Sequence, residues 1–162
     1  MEEISISYNG GKDCLVLLIL FLSALATYSG PLPPLLQSIY IVSEHPFQEV
    51  DDFVDVSTQE YKLDLARYVM PMKAAFAKYL QDKEKVKAIF VGTRRTDPHG
   101  QLLTHFDVTD HGWPPFMRIH PVIDWHYVEI WAVSDILPMS IGGGANATTV
   151  HQTSEDPVLQ AL

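Results

Sequence analysis

The strongest constraint on the fold lies in the first 28 residues, where a short alternating stretch is followed by a glycine turn and a long apolar run. Ile4 to Tyr8 alternates apolar and polar residues as a strand does, and Asn9-Gly10-Gly11 interrupts it. Leu15 to Ala26 is apolar on nearly every side, which is typical of a buried helix. The pattern predicts a strand, a tight turn and a central helix that begins at an Asp13 N-cap and ends near Tyr28.

The chain continues to alternate between strand and helix patterns. Such alternation is typical of βαβ units around a mainly parallel sheet. We therefore expect an α/β fold, a single-domain three-layer sandwich with a mainly parallel sheet. The predicted strands are Ser38–Val42, Leu63–Tyr68 and Ala88–Val91, and the predicted helices are Glu49–Glu60, Met72–Gln81 and a last helix capped by Asp124.

The predicted domain covers residues 1–133, because the regular pattern fades after Val133. Residues 134–162 contain Gly142-Gly-Gly-Ala-Asn-Ala-Thr-Thr149 and are expected to form a divergent, flexible C-terminal tail. Between the predicted strands and the last helix, residues 93–115 show little periodicity and many turn residues, which is typical of a functional loop.

Charge and composition narrow the classes of partner. The chain has 20 acidic and 11 basic residues, so its net charge of −9 argues against general binding to nucleic acid or anionic membranes. The apolar run of about 12 residues is shorter than the roughly 20 that a bilayer requires. Cys14 is the single cysteine, which fits a reducing compartment, and we expect a cytoplasmic protein that binds small molecules.

The first candidate site is the turn between the first strand and the first helix, Ser7-Tyr8-Asn9-Gly10-Gly11-Lys12-Asp13-Cys14. Paired glycines allow successive backbone N–H groups to point at one anion, and the helix N-terminus adds to the attraction. Lys12 supplies a point charge, and Asp13 a carboxylate that could orient a substrate or reach Mg²⁺. The spacing is neither that of a Walker A loop nor that of the dinucleotide fingerprint. A plain strand-to-helix turn is the alternative interpretation.

The second candidate site follows the fourth predicted strand, in the stretch Gly92-Thr-Arg-Arg-Thr-Asp-Pro98. Arg94 and Arg95 could clamp phosphate or stack on an aromatic ring, and Asp97 could accept a hydrogen bond from a ligand or help to place a metal. Both loops follow the carboxyl end of a strand, so both can face one cleft. A plain Asp-Pro turn with solvated arginines is again the alternative.

Three motifs in order resemble a known family. The stretch from Ser7 to Cys14 resembles the pyrophosphate-binding loop of the N-type ATP pyrophosphatase fold. PAPS reductases share this fold, whose architecture is adenine nucleotide alpha hydrolase-like. The Gly92–Pro98 stretch, and Trp113-Pro-Pro-Phe-Met-Arg118-Ile-His-Pro121 with Trp125 and Ile130-Trp131, are similar to segments of the eukaryotic FAD synthase (FMN adenylyltransferase) group. The resemblance covers residues 4–132 and implies that the enzyme transfers AMP from ATP to FMN, with Mg²⁺, to give FAD and pyrophosphate.

The resemblance also implies roles for individual residues. Asn9, Asp13 and Asp97 would be the catalytic residues, whereas the residue that binds the metal stays unassigned. Trp113 and Trp125 could stack on the flavin, although tryptophans of this kind more often belong to a core. The implied ATP-binding residues are Ser7, Asn9, Gly10, Gly11, Lys12, Ile41 and Val42, and the implied flavin-binding residues are Thr93, Arg94, Arg95, Asp97 and Arg118.

Two alternatives stay open because the sequence departs from the family pattern. No Lys or Arg follows Arg118, and Pro138-Met-Ser-Ile-Gly-Gly143 is at best a worn version of a Tyr-Thr-Ser-Leu-Gly-Gly stretch. A non-catalytic, shortened member that binds a nucleotide or a flavin is one alternative. Another enzyme of the same fold, such as a PAPS-type reductase, is the second, and it would need a redox-active cysteine. Seven histidines lack the tight spacing of a zinc site.

Overall fold

A six-stranded sheet forms the centre of the computed structural model, which describes residues 1–43, 45–110 and 112–136. Its order is β3-β2-β1-β4-β6-β5, and every neighbouring pair is parallel except β5 with β6. The strands are β1 Ile4–Ser7, β2 Leu36–Ile41, β3 Leu63–Tyr68, β4 Ala88–Phe90, β5 Phe106–Val108 and β6 Met117–Ile119; the helices are α1 Lys12–Ala26, α2 Gln48–Glu60, α3 Met72–Asp82 and α4 Tyr127–Ile136.

Helices cover both faces of the sheet, which confirms the predicted α/β three-layer fold. On one face, Leu18 of α1 and Val54 of α2 pack against Ile6 of β1 in one buried cluster. On the other, Phe76 of α3 packs with Ile89 of β4 in a second cluster. Because successive side chains of a strand point to opposite faces, these short apolar strands supply both cores.

A third, smaller cluster fixes α4 to α1. Val16 of α1 is buried with Val122 and Ile130, and Leu20 and Trp125 pack against them. Since Val16 and Leu20 are four residues apart on α1, they lie on one face of that helix. This packing holds the first turn of α4 next to the first turn of α1, at the edge of the sheet where β1 and β4 end.

Two predicted helix caps are wrong. Gly11 is the N-cap of α1 and has extended backbone, so Asp13 lies inside the first turn rather than at the cap. At α4 the helix begins at Tyr127, and Asp124 instead binds Arg95 through a side-chain hydrogen bond of 2.7 Å. In both cases the acidic side chain is engaged by an arginine from another segment, which a local capping rule does not consider.

The segment between β4 and α4 is more ordered than its composition predicts. It contains β5, which pairs antiparallel with β6, and Phe106 lies opposite Ile119. Both strands are short, and β6 is attached to β4 through the pair Phe90 and Ile119. The expectation of an irregular loop from Thr93 to Pro115 is therefore wrong for residues 106–108.

The boundary between domain and tail stays a prediction. Helix α4 runs past Val133 to Ile136, and residues 137–162, which include Pro138–Gly143 and most of the predicted tail, lie outside the described residues. His111 and His151 lie outside them as well. Within the part that the structure describes, no helix combines the length and the apolar character that a membrane span requires.

The strand order creates a switch point between β1 and β4. From β1 the chain moves outward to β2 and β3, and it then returns to β4 on the other side of β1. In open α/β sheets ligands bind beyond the carboxyl ends of the strands at such a point. The two loops that the sequence singled out leave β1 and β4 here, and they form the candidate site.

Candidate functional site

The loop after β1 leads straight into α1 without a side-chain cap. Gly10 has a φ of 75°, a left-handed conformation that favours glycine, and an added Cβ would lie 2.7 Å from Val54 Cγ2. The Asn9 Oδ1 accepts a hydrogen bond of 2.9 Å from the Gly11 N–H. The N-cap residue Gly11 has no side chain that could accept hydrogen bonds from the first N–H groups of α1. These N–H groups can therefore bind an anion.

The loop after β4 lies directly against the first turn of α1. A Cβ on Gly92 would be 3.2 Å from the carbonyl carbon of Asp13 and from the backbone nitrogen of Cys14, so only glycine permits this approach without displacement. The loop then closes on itself, since Asp97 Oδ2 accepts a hydrogen bond of 2.8 Å from the Arg94 N–H. The two predicted loops therefore meet, in line with the expectation that loops after the carboxyl ends of strands can face one cleft.

Arg94 joins the two loops through two carboxylates. Its Nε lies 2.9 Å from Asp13 Oδ1, and its Nη2 lies 3.0 Å from Asp97 Oδ1. The Arg94 side chain is only 11% exposed, so this ion-pair network is less screened than a surface pair. Lys12 Nζ lies 2.8 Å from Asp13 Oδ2, and the network thus contains two cations and two carboxylates.

An aromatic ring from α4 lies beside both cations. Lys12 Nζ is 5.0 Å, and Arg94 Cζ 5.9 Å, from the centre of the Tyr127 ring. Sequence reasoning did not select Tyr127, because nothing in its local pattern separates it from an ordinary first-turn residue of a helix. Its position relative to Lys12 depends on the packing of α4 against α1, which is a tertiary feature.

Arg95 points away from Arg94 and connects other segments. Its Nε donates to Asp124 Oδ1 at 2.7 Å, and its Nη1 donates to the backbone oxygens of Gln101 and Leu103 at 3.2 and 2.8 Å. These contacts fasten the segment after β4 to the segment before α4. The predicted flavin contact of Arg95 stays a prediction, and its side-chain donors face protein acceptors in this structure.

The remaining predicted residues differ in how close they lie to the two loops. Ser7 ends β1, and Thr93 is buried next to Arg94. Ile41 ends β2 with its side chain in the core below α3, whereas Val42 packs on the opposite face of the sheet. Arg118 lies in the middle of β6, where its Nη2 donates to the Val108 oxygen at 3.4 Å. These roles stay predictions.

Both tryptophans considered as flavin platforms contribute to the cores. The Trp113 ring packs edge-on against Phe76, with 6.3 Å between ring centres. Trp125 packs on the cluster of Val16 and Ile130 between α1 and α4. Each is half-buried, so part of each side chain still faces outward.

The Cys14 thiol is unsuited to nucleophilic or redox chemistry. Burial raises its pKa to about 12, and the negative charge of Asp13 adds to this effect, while backbone hydrogen bonds at Asn9 and Gly92 oppose it. A thiol reacts as the thiolate, which is scarce near neutral pH at such a pKa. His120 is buried too, and burial lowers its pKa although its Nδ1 lies 2.9 Å from the Thr104 oxygen. Among residues 1–43, 45–110 and 112–136, no group of three or more His, Cys, Asp or Glu is arranged to hold a metal ion.

Comparison with known proteins identifies the family. The model of the phosphoadenosine phosphosulfate reductase domain family matches residues 3–135. The chain belongs to this family. At lower similarity, the phosphoadenylyl-sulfate reductase of Candida auris shares 16% identity and a TM-score of 0.61 over 82% of the chain and 71% of that protein, which shows the common fold alone.

Relatives with higher identity within the family are FAD synthases, which confirms the resemblance found in the sequence. A probable FAD synthase of Schizosaccharomyces pombe is 45% identical over 134 residues, which are 80% of this chain and 51% of that protein. The FMN adenylyltransferase of Candida glabrata, solved with FMN and the ATP analogue AMPCPP, is 38% identical with a TM-score of 0.77 and covers 82% of this chain. That match includes 48% of the Candida protein, so the chain spans about half the length of these relatives.

Proposed function

We propose that this chain is an FMN adenylyltransferase, an FAD synthase that transfers AMP from ATP to FMN and releases pyrophosphate. The observation that carries the proposal is the contact of the two strand-end loops through Arg94, Asp13 and Asp97 at the switch point of the sheet. The match to a Candida glabrata FMN adenylyltransferase in complex with FMN and AMPCPP supports the choice of substrates.

The reaction asks the protein mainly to position two charged substrates. A phosphate oxygen of FMN attacks the α-phosphorus of ATP, the new P–O bond forms, and the bond from the α-phosphorus to the bridging oxygen breaks. Both electrons of that bond leave with pyrophosphate. Because little covalent chemistry is required of the protein, alignment of the two phosphates and stabilisation of their negative charge supply the catalysis.

The first loop is proposed to bind ATP. Gly10 and the first N–H groups of α1 would hold phosphate oxygens, and Gly11, whose own N–H donates to Asn9 Oδ1, would let the backbone come close to them. Lys12 would neutralise charge on the departing pyrophosphate. Ser7 and Asn9 would complete the phosphate contacts, while the backbone near Ile41 and Val42 would lie beside adenine.

The second loop is proposed to bind the flavin. Arg94 would contact the FMN phosphate and hold it next to ATP, because the same side chain is already fixed to both loops. Asp97 sets the direction of Arg94 and of its backbone N–H, so we propose it as a catalytic residue together with Asn9 and Asp13. Thr93, Arg95 and Arg118 are the other proposed flavin-binding residues.

We propose Mg²⁺ as the partner of the ATP phosphates at this site. It keeps several waters and needs only one or two protein carboxylates in nucleotide sites. Asp13 is the carboxylate placed to reach it, since its Oδ1 is buried beside Arg94 with an ion pair but no hydrogen bond. When bound, the metal would add positive charge at the phosphates. We also propose a cytoplasmic location, which the free, buried Cys14 supports.

Chromatography of the flavins tests the proposed reaction. The full chain is incubated with FMN, ATP and Mg²⁺ beside two variants, Asp97→Asn and Asp52→Asn. Asp52 is an exposed residue of α2 that contacts Gln48, so its variant is a matched control for removing a carboxylate. We expect FAD from the wild type and from Asp52→Asn, and a loss of about 100-fold or more with Asp97→Asn.

The outcomes separate the proposal from its alternatives. No FAD from folded protein that still binds ATP or FMN would favour a non-catalytic binding protein. FAD made equally well by Asp97→Asn would contradict the assigned role of Asp97. A PAPS-type reductase would need a reactive thiol, and the buried Cys14 with its raised pKa disfavours that alternative.

A further inference from the structure

We propose that Tyr127 is a positioning residue for the substrate phosphates, whose ring face holds Lys12 in place for ATP and Arg94 in place for FMN. The inference rests on the proposed function and deepens it. Tyr127 is the first residue of α4, so it belongs to neither of the two loops that the sequence singled out. Besides Asp13 and Asp97, its ring is a further group that lies against the two cations.

The ring lies within the range in which a cation is attracted to an aromatic face. Lys12 Nζ is 5.0 Å and Arg94 Cζ is 5.9 Å from the ring centre, and such attraction operates within about 6 Å. The same two cations face Asp13, whose two carboxylate oxygens each pair with one of them. The ring and the Asp13 carboxylate together hold both cations at one place.

The ring is itself held by the fold rather than by the loops. It packs edge-on against Trp131 one turn later, with 5.7 Å between ring centres and 69° between planes. Helix α4 is anchored to α1 by Ile130, which is buried against Val16. Because Val16 lies one turn after Lys12 on α1, the packing of the two helices sets the distance from the ring to the cation.

This arrangement gives the aromatic ring a function in binding the phosphates of both substrates. Long cationic side chains lose rotamer freedom when they bind a ligand, and a site that holds them beforehand loses less. The aromatic face attracts a cation without neutralising its charge, unlike a second carboxylate. Lys12 and Arg94 can therefore remain positively charged toward the phosphates while their positions stay restricted.

The test compares four full-length proteins: wild type, Tyr127→Phe, Tyr127→Leu and Tyr28→Leu. Tyr28 follows the C-terminal end of α1 and is 50% exposed, and Tyr127 is 47% exposed, so Tyr28→Leu is a matched control. The readouts are the Kd for ATP with Mg²⁺, the Kd for FMN and the Tm. We expect Tyr127→Leu to weaken the binding of ATP, through Lys12, and of FMN, through Arg94, by about 3- to 10-fold each. Tyr127→Phe and Tyr28→Leu should weaken either by less than about twofold.

Three results would overturn the inference. They are ATP binding by Tyr127→Leu that equals wild type, equal losses in the Phe and Leu variants, and a loss that follows a fall in Tm. A wild-type chain that binds no ATP would instead refute the proposed function. In that case the ring-to-cation contact is still tested by unfolding, since it exists without ATP.

A double-mutant cycle makes this second measurement. If the ring holds Lys12, Tyr127→Leu lowers the denaturation midpoint of Lys12→Met by less than it lowers the midpoint of the wild type. Additive effects of the two substitutions would show that the ring stabilises the fold without holding Lys12. The cycle uses chemical denaturation, so it needs neither ATP nor activity.

Discussion

Replacing Gly92 by alanine tests whether the contact of the second loop with α1 sets the geometry of the site. The added Cβ would lie 3.2 Å from the carbonyl carbon of Asp13, 3.2 Å from the nitrogen of Cys14 and 3.3 Å from its Sγ. Two of these neighbours are backbone atoms of a buried helix and cannot rotate away. The loop and the helix must therefore move apart by a few tenths of an ångström.

The expected magnitude follows from two opposing terms. An extra methyl group in a packed position costs about 1–3 kcal/mol of folding free energy. Replacing a glycine opposes this cost by about 0.4–1 kcal/mol, because it lowers the conformational entropy of the unfolded chain. We expect a net loss of about 1–2 kcal/mol and a Tm lower by about 2–8 °C. Because Asp13 and Arg94 face each other across the displaced contact, FAD formation should fall by about 10- to 100-fold.

Gly30→Ala is the matched control. Its Cβ would come even closer to a neighbour, 2.4 Å from Tyr28 Cζ, but that atom ends a flexible, exposed side chain. We expect a change below about 0.5 kcal/mol and unchanged FAD formation, because surface substitutions are usually within that limit. Thermal melts and flavin chromatography measure both variants. Equal effects of the two substitutions on Tm and activity would refute the reasoning.

Three further predictions concern the charges of the site and the core. Arg94→Met should lower FAD formation by about 100-fold or more and the free energy of unfolding by about 1–2 kcal/mol, because the part-buried Asp13 and Asp97 lose the cation that they share. Arg94→Lys should lower both quantities by less than Arg94→Met. Burial raises the pKa of Cys14 and of Tyr79 to about 12, so the unfolded chain loses these protons at a lower pH than the folded chain. The urea midpoint of unfolding should therefore stay constant below about pH 9 and fall between about pH 9 and 12. A midpoint that stays constant up to about pH 12 would contradict this prediction. Arg95→Met and Asp124→Ala should raise the KM for FMN by non-additive factors in steady-state kinetics, because Asp124 holds the Arg95 side chain, whereas additive factors would show that the two residues act independently.

The strands and helices from β1 to β4 could be predicted because each carries a local signal. The alternation from Ile4 to Tyr8 and the helical spacing from Met72 to Gln81 give element types directly, and the observed bounds differ by only one or two residues. Short apolar strands alternating with helices then leave few topologies. The relative position of the two loops followed from the general rule on strand ends.

The last two strands escaped prediction because they depend on distant partners. Phe106–Val108 and Met117–Ile119 are each too short to show a period of two, and Phe106 is exposed although it is apolar. Met117–Ile119 is a strand because β4 offers hydrogen bonds along its free edge. Such pairing joins residues about 30 positions apart, which no local window contains.

The candidate site could be predicted in its residue types but not in its contacts. The Asn-Gly-Gly-Lys-Asp motif and the two arginines after β4 pointed to an anion site from the sequence. The sequence did not show that Arg94 joins both loops whereas Arg95 turns toward Asp124. The ring of Tyr127 was missed for the same reason, because its distance from Lys12 is set by helix packing.

The transfer of labelled phosphorus tests the central claim most directly, that one site at the ends of β1 and β4 joins AMP to FMN. The full chain is incubated with FMN, Mg²⁺ and ATP that carries the label either in the α- or in the γ-phosphate, and flavins and pyrophosphate are separated. We predict that the α-label enters FAD while the γ-label leaves only in pyrophosphate, in equal molar amounts. Label that stays in ATP, or γ-label released as inorganic phosphate without FAD, would contradict the account.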